Sequence, residues 1–246
     1  EFSELLPRKV NFETDNDLFT FEFTSEWTLY VAKYIIGIAA AASFDYNYAE
    51  VLFIEVENHL SKIQTNFPVF TKLKKRLPNR IAEINLSLAG HYLELWLENR
   101  DNSYIDNITH HLNKVPKSAQ NTYSYYILKS IELFLKDRDV SSAILTLKKC
   151  KQVEDPTWHT NLSFLYAFEG NLRDAIRQYR IAEEFPFHPH SLSQIEEFIC
   201  RIIDDEPDKY QLYYILGYFN WKIKGDTKQA NKDFEKFLEC RVENEY

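Results

Sequence analysis

Beyond residue 24 the apolar residues recur at intervals of three and four, the spacing of helices with one buried face. The pattern and its breaks predict helices over 25–43, 46–64, 79–98, 102–114, 118–137, 139–153, 156–169, 171–185, 189–204, 207–224 and 226–242. Several starts carry side chains able to cap free backbone amides: Ser25, Asp101 to Ser103, Asp155-Pro156 and Asp226-Thr227. Stops fall at Pro78, Pro116, Pro156, Pro186 to Pro189 and Pro207, because proline lacks an amide proton and clashes with the preceding turn. Short linkers between helices of this length make neighbours antiparallel, so the chain reads as successive helical hairpins.

The first 24 residues follow another rhythm. Val10, Phe12, Phe19, Phe21 and Phe23 alternate with polar residues around Asp15-Asn16-Asp17, the period-two signature of a β-hairpin. Two strands alone are unstable in water, so this hairpin packs on the first helices or trails an upstream domain. The division expected is an N-terminal extended segment, 1–24, and a helical domain, 25–246.

Between Thr157 and Phe187, Ser163, Tyr166, Gly170, Ala175, Tyr179 and Ala182 follow at intervals of 3, 4, 5, 4 and 3 residues. Small Ser163 and Ala175 let two helices approach, Tyr166 and Tyr179 fill the space beside them, and Gly170 permits the turn. This series resembles the tetratricopeptide repeat. The same intervals run from Gly37 through Ala40, Phe44, Ala49, Phe53 and Val56, and from Ile131 through Phe134, Arg138, Ala143, Leu147 and Cys150. Near the C-terminus they give Tyr218, Trp221, Gly225, Ala230, Phe234 and Phe237, with Gly217 one residue out of register. The stretch Arg80 to Val115 is degenerate, with Ile105 and Thr109 where a small and a large residue are expected.

Ala49, Ile105, Ala143, Ala175 and Ala230 are separated by 56, 38, 32 and 55 residues. Two extra segments account for the long gaps: Asn66 to Arg76, read as a loop with a short helix, and Ser191 to Asp204, read as an added helix. The resemblance implies an all-α fold, a right-handed α-α superhelix of the tetratricopeptide type. In that family ligands lie along the concave face lined by each repeat's first helix. Carried over, that face holds Leu128, Glu132 and Lys136, then Thr160, Asn161, Phe164 and Phe168, and finally Ile215, Phe219 and Lys222. The aromatics among these read equally well as core; Asn161, Glu132 and Lys136 are more diagnostic. The mixed charge of the set argues against a ligand held by its terminal carboxylate.

Composition narrows the function. Five glycines and eight prolines in 246 residues leave few tight hairpin turns, against an all-β fold. A net charge of −8 disfavours nucleic acid as a partner. The most apolar run, Tyr34 to Ser43, is too short to span a membrane. Cys150, Cys200 and Cys240 form no disulfide framework or CxxC pair, which suits a reducing, cytoplasmic setting. Methionine is absent and Glu1-Phe2 read as a cloning remnant, so the chain is expected to be a fragment.

Phosphate loops, a GxSxG elbow and an HExxH pair are missing, so no catalytic residue, cofactor or metal is assigned. His188-Pro189-His190 and His110-His111 lack further ligands at a metal-binding spacing and read as ordinary loop and surface histidines. The acidic run Asp204, Asp205, Glu206, Asp208 reads as solvated linker, and Lys72, Lys74, Lys75, Arg76 and Arg80 as a solvated basic face. The function expected is a non-catalytic protein-interaction scaffold that takes a partner protein or peptide. The alternative is the regulatory arm of a longer effector or NTPase whose catalytic domain lies outside this chain. A helical-repeat enzyme and an RNA-binding repeat rank lower. Self-association stays open, since the apolar face around Val31, Tyr34, Ile38, Ala41 and Ala42 calls for a cover: the hairpin or a second copy.

Overall fold

A computed structural model of the chain describes residues 9–14, 17–22, 25–62, 68–150 and 154–245. Glu1, Phe2, Asp15, Asn16, Phe23 and Asn66, to which the sequence assigned roles, lie outside them. Strands β1 (Lys9–Thr14) and β2 (Asp17–Glu22) pair antiparallel, and among the described residues the elements that follow are helices. The helices are α1 (Ser25–Ala42), α2 (Tyr46–Lys62), α3 (Pro68–Asn99), α4 (Ser103–Lys114), α5 (Tyr123–Asp137) and α6 (Val140–Leu147), then α7 (Pro156–Phe168), α8 (Leu172–Ala182), α9 (Pro189–Asp205), α10 (Gln211–Tyr218) and α11 (Thr227–Glu245). The chain divides into two compact units, one of residues 1–89 and 110–120, the other of 90–109 and 121–246.

One local rule makes each hairpin. Among the described residues, positive φ occurs at Phe44 (62°), Arg100 (57°), Arg138 (52°), Gly170 (85°) and Gly225 (75°), each at the end of a hairpin's first helix. The next residue is always Asp or Asn, and its side chain accepts from a backbone amide of the second helix. The pairs are Asp45 with Tyr48 (3.2 Å), Asp101 with Ser103 (2.8 Å), Asp139 with Ser142 (3.0 Å), Asn171 with Asp174 (3.2 Å) and Asp226 with Gln229 (3.0 Å). A left-handed residue stops one helix and an Asx cap starts the next.

Close approach of the two helices places a small residue on the first helix of four of these five hairpins, twelve or thirteen residues before an alanine of the second. In α1 and α10 it is glycine: a Cβ on Gly37 would lie 2.7 Å from the Phe53 ring, and one on Gly217 2.8 Å from the Phe234 ring. In α5 and α7 it is serine, whose buried hydroxyl donates to the alanine carbonyl: Ser130 to Ala143 (3.0 Å) and Ser163 to Ala175 (2.8 Å). Ser130 and Gly217, not Ile131 and Tyr218, are therefore the close-contact positions of those two hairpins. Each first helix there holds one extra residue before its turn. The amides of Asp45 and Asn171 reach carbonyls five residues back (Ala40, 2.9 Å; Tyr166, 2.8 Å), whereas those of Asp139 and Asp226 reach six back (Leu133, 3.4 Å; Asn220, 2.8 Å). After α10 the extra residue is absorbed as a π-helical turn, Phe219–Lys224.

Other boundaries also differ from expectation. Helix α3 runs through Pro78 instead of starting after it, and 68–76, the described part of the segment expected as a loop with a short helix, forms its first turns. Leu73, Leu77, Ile81 and Ile84 are buried along this stretch, and that burial offsets the lost amide bond, about 3 kcal/mol for an interior proline. Helix α6 ends at Leu147, whose carbonyl accepts from the Trp158 indole (3.0 Å) and the Cys150 amide (3.0 Å). Within the second unit, α10 packs on α7 and α8, as a next hairpin should, and α6 packs on α7. The added helix is α9, which lies against α7 and α10.

Candidate functional site

Helix α9 determines what the second unit presents. Its Phe198 ring meets Phe164 of α7 edge to face at 5.0 Å, and lies 5.9 Å from Trp96 of α3 and 6.3 Å from Phe134 of α5. Arg201 is buried and stacks 3.7 Å over the Trp96 ring while donating to the Trp96 carbonyl and, at 3.3 Å, to that of Leu97. Those carbonyls belong to the last turn of α3, where that of Trp96 also accepts from the Arg100 amide (3.1 Å). Burial lowers the Arg201 pKa from its ordinary value, yet its guanidinium remains charged.

The end of α9 is latched by two of the left-handed turn residues. Arg100 donates to Asp204 (2.8 Å) and Arg138 to Glu206 (2.6 Å). The acidic run is thus not plain solvated linker: two of its four carboxylates fasten α9 to hairpin tips. The Arg100 pair is exposed on both sides and adds little energy.

Between α9 and the first helices lies a cleft of about 250 Å³, lined by the end of α3, by α5, α7 and α9. Its walls are mainly apolar, from Leu93, Leu128, Ile131, Phe164, Ile195 and Phe198. Asn161, Thr157 and Ser191 border it, and none of their side chains forms a hydrogen bond within the described residues. The contrast with buried neighbours is plain: Ser130 and Ser163 are satisfied by backbone, and Thr160 donates to the Thr157 carbonyl (3.0 Å). Glu94 also borders the cleft and accepts from Gln194 (2.9 Å), with His190 Nε2 at 3.4 Å.

The carried-over residues separate into three groups. Leu128, Thr160, Asn161 and Phe164 all line the cleft. Glu132, Phe168, Ile215 and Phe219 are buried, which gives them a packing role. Glu132 accepts from Thr109 (2.9 Å) and Lys129 (2.6 Å), while Phe168 packs edge to face on Phe134 (4.9 Å). Lys136 and Lys222 are exposed. The repeat register did not single out five of the lining residues: Glu94 lies in the degenerate stretch and Thr157 one turn before Asn161, whereas Ser191, Gln194 and Phe198 belong to α9, which stands outside the repeat. Its own apolar spacing, Leu192, Ile195, Phe198, Ile199 and Ile202, was the available signal that it covers something.

The remaining polar clusters have local partners. His111 is buried in the first unit with Nδ1 2.9 Å from Asn85 Oδ1, and so is not a surface histidine; His188 accepts from the His190 amide at 3.3 Å. Among the described residues no three His, Cys, Asp or Glu side chains gather in a metal-binding arrangement. Nor is any described helix long and apolar enough to cross a membrane.

Comparison with known proteins gives limited likeness. No protein-family model matches the chain. An alignment 141 residues long, which covers 53% of the chain, shows 28% identity to the Type II methyltransferase M.CeqI of Rhodococcus hoagii. The match spans only 27% of that protein's length. Among solved structures, MamA superposes over 86% of this chain and 98% of its own, with a TM-score of 0.41 and 19% identity.

Proposed function

We propose that the chain is a non-catalytic protein-interaction module of the tetratricopeptide kind, cytoplasmic, which takes a segment of a partner protein at the first-helix face of its second unit. The observation that carries this is the cleft itself, where three polar side chains without internal partners surround an apolar space. These three are part exposed at the cleft, whereas the buried Ser130, Thr160 and Ser163 of α5 and α7 are hydrogen-bonded internally, as buried polar groups must be. Four of the ten residues carried over from the family line the cleft. In this reading the module performs no reaction and, with its net charge of −8, does not bind nucleic acid.

The test is affinity capture from lysate with the wild type beside a variant carrying Thr157→Ala, Asn161→Ala and Ser191→Ala, after circular dichroism confirms that the variant is folded. A partner held by the wild type and released by the variant is expected. Equal capture by both would refute the site.

A second reading is favoured by one finding: the sequence relative is a methyltransferase of which this match spans about a quarter. The helical module would then act as an accessory arm of a longer effector, beside a domain that carries the activity. Immunoblotting of the native polypeptide decides it; a band near 29 kDa would exclude it. Pairing of two copies would use the α1–α2 hairpin, where Ile36, Phe44, Tyr48 and Val51 are exposed; light scattering that shows only monomer would remove that role.

A further inference from the structure

The cleft between α3, α5, α7 and α9 is small, about 250 Å³. A cavity of about 150 Å³ lined by Leu, Ile and Phe accepts benzene, and pockets for drug-sized ligands begin near 300 Å³. The space therefore suits one ring with a short polar extension, not a length of helix. Helix α9 is not poised to leave and make more room. Its Ile199, Ile202 and Ile203 are buried, and Arg201 holds the end of α3.

Three features define what fits. Phe164 and Phe198 cross edge to face at 5.0 Å and offer ring surfaces to a third aromatic group. Among the residues that line the cleft Glu94 alone is charged, so an entering carboxylate or phosphate would meet no cation and one like charge. The Asn161 amide both donates and accepts, which matches a peptide group.

Gly90 supports the same conclusion. It lies inside α3, where glycine is unfavourable relative to alanine, and a Cβ there would meet nothing within 4 Å. Packing does not require a glycine at this position. It borders the cleft, and its missing side chain keeps the space open.

Resting on the partner-binding reading above, we propose that the cleft receives a single aromatic side chain from a segment of the partner other than its C-terminal residue, whose own backbone amide hydrogen-bonds to Asn161. The C-terminal residue is excluded because it would bring a free carboxylate to Glu94.

The probe is N-acetyl-L-phenylalanine amide, titrated into the whole chain and followed by calorimetry and by amide NMR shifts. Saturable binding is expected, several-fold weaker for N-acetyl-L-phenylalanine with its free carboxylate. Asn161→Ala should weaken it roughly two- to tenfold, the range of one net hydrogen bond. Gly90→Leu, which fills open space without disturbing the helix, should abolish it while the far-ultraviolet spectrum stays helical. No saturable binding by the wild type, or undiminished binding by Gly90→Leu, would overturn the proposal. In the capture experiment, a partner kept by Gly90→Leu but lost by the Thr157, Asn161, Ser191 triple variant would overturn the aromatic anchor and leave the interaction module standing. A partner kept by both variants would sink the module reading itself.

Discussion

Gly37→Ala tests the packing rule at its tightest point. The added Cβ would lie 2.7, 3.1 and 3.2 Å from three atoms of the Phe53 ring, well inside ordinary contact. Phe53 is 1% exposed and its ring lies 5.7 Å from that of Tyr34, so it has little room to turn aside. Overpacking of this kind costs about 1–3 kcal/mol. Against it stands the helix propensity regained by replacing an interior glycine, about 1 kcal/mol. The expected net effect is a destabilisation of about 1 kcal/mol, read by urea unfolding on the transition that carries the first unit. Phe53→Leu in the same background should recover part of the loss, a coupling visible in a double-mutant cycle. Stabilisation by Gly37→Ala, or a cycle with no coupling, would refute the reasoning. The equivalent Gly217→Ala should cost less, because Phe234 is only partly buried and its ring can shift.

Further expectations concern the caps, the α9 latch and pH. Removing a turn cap by Asp139→Ala or Asn171→Ala should cost about 1 kcal/mol each in denaturant unfolding, whereas Ser141→Ala, exposed and beside a cap, should be near neutral. Arg201→Ala should destabilise the second unit by about 2–3 kcal/mol, from lost charged hydrogen bonds and lost packing on Trp96. Arg201→Met, which keeps the packing, should lose less in the same melt. Asp233 accepts from Asn220 (2.8 Å) and Gln229 (2.9 Å), yet burial raises its pKa above the ordinary 3.8. A folded-state pKa above the unfolded one gives stability that is full below 3.8 and is lost as pH rises through the folded value. The stability difference between wild type and Asp233→Asn should therefore shift against the wild type as pH is raised from 3.5 towards neutrality (about 7, where carboxylates are ionised); a pH-independent difference would contradict this.

The helical hairpins were legible because they rest on local chemistry. Gly170, Gly225 and the five Asx residues after the left-handed positions announce the turns, and Ala49, Ala143, Ala175 and Ala230 mark the contacts opposite them. What failed was counting back from those alanines at one fixed interval. Ser130 and Gly217 each lie thirteen residues before their alanine, not twelve, and the π turn that makes room has no signature of its own in the sequence. Pro78 misled for a related reason: proline's local penalty is visible, but the burial of Leu73, Leu77 and Ile81 that outweighs it is tertiary. The site was half legible. Asn161 and Leu128 lie on the expected face, but the sequence could not show that α9 closes over it. That placement depends on Phe198 and Arg201 meeting Trp96, 105 residues from Arg201 along the chain.

The central claim is that partner recognition occurs at this cleft, and the most direct measurement is quantitative mass spectrometry of proteins captured by the wild type and by the Thr157→Ala, Asn161→Ala, Ser191→Ala variant at matched, folded concentration. The account predicts at least one protein enriched with the wild type and returned to background with the variant. Identical capture profiles would contradict it.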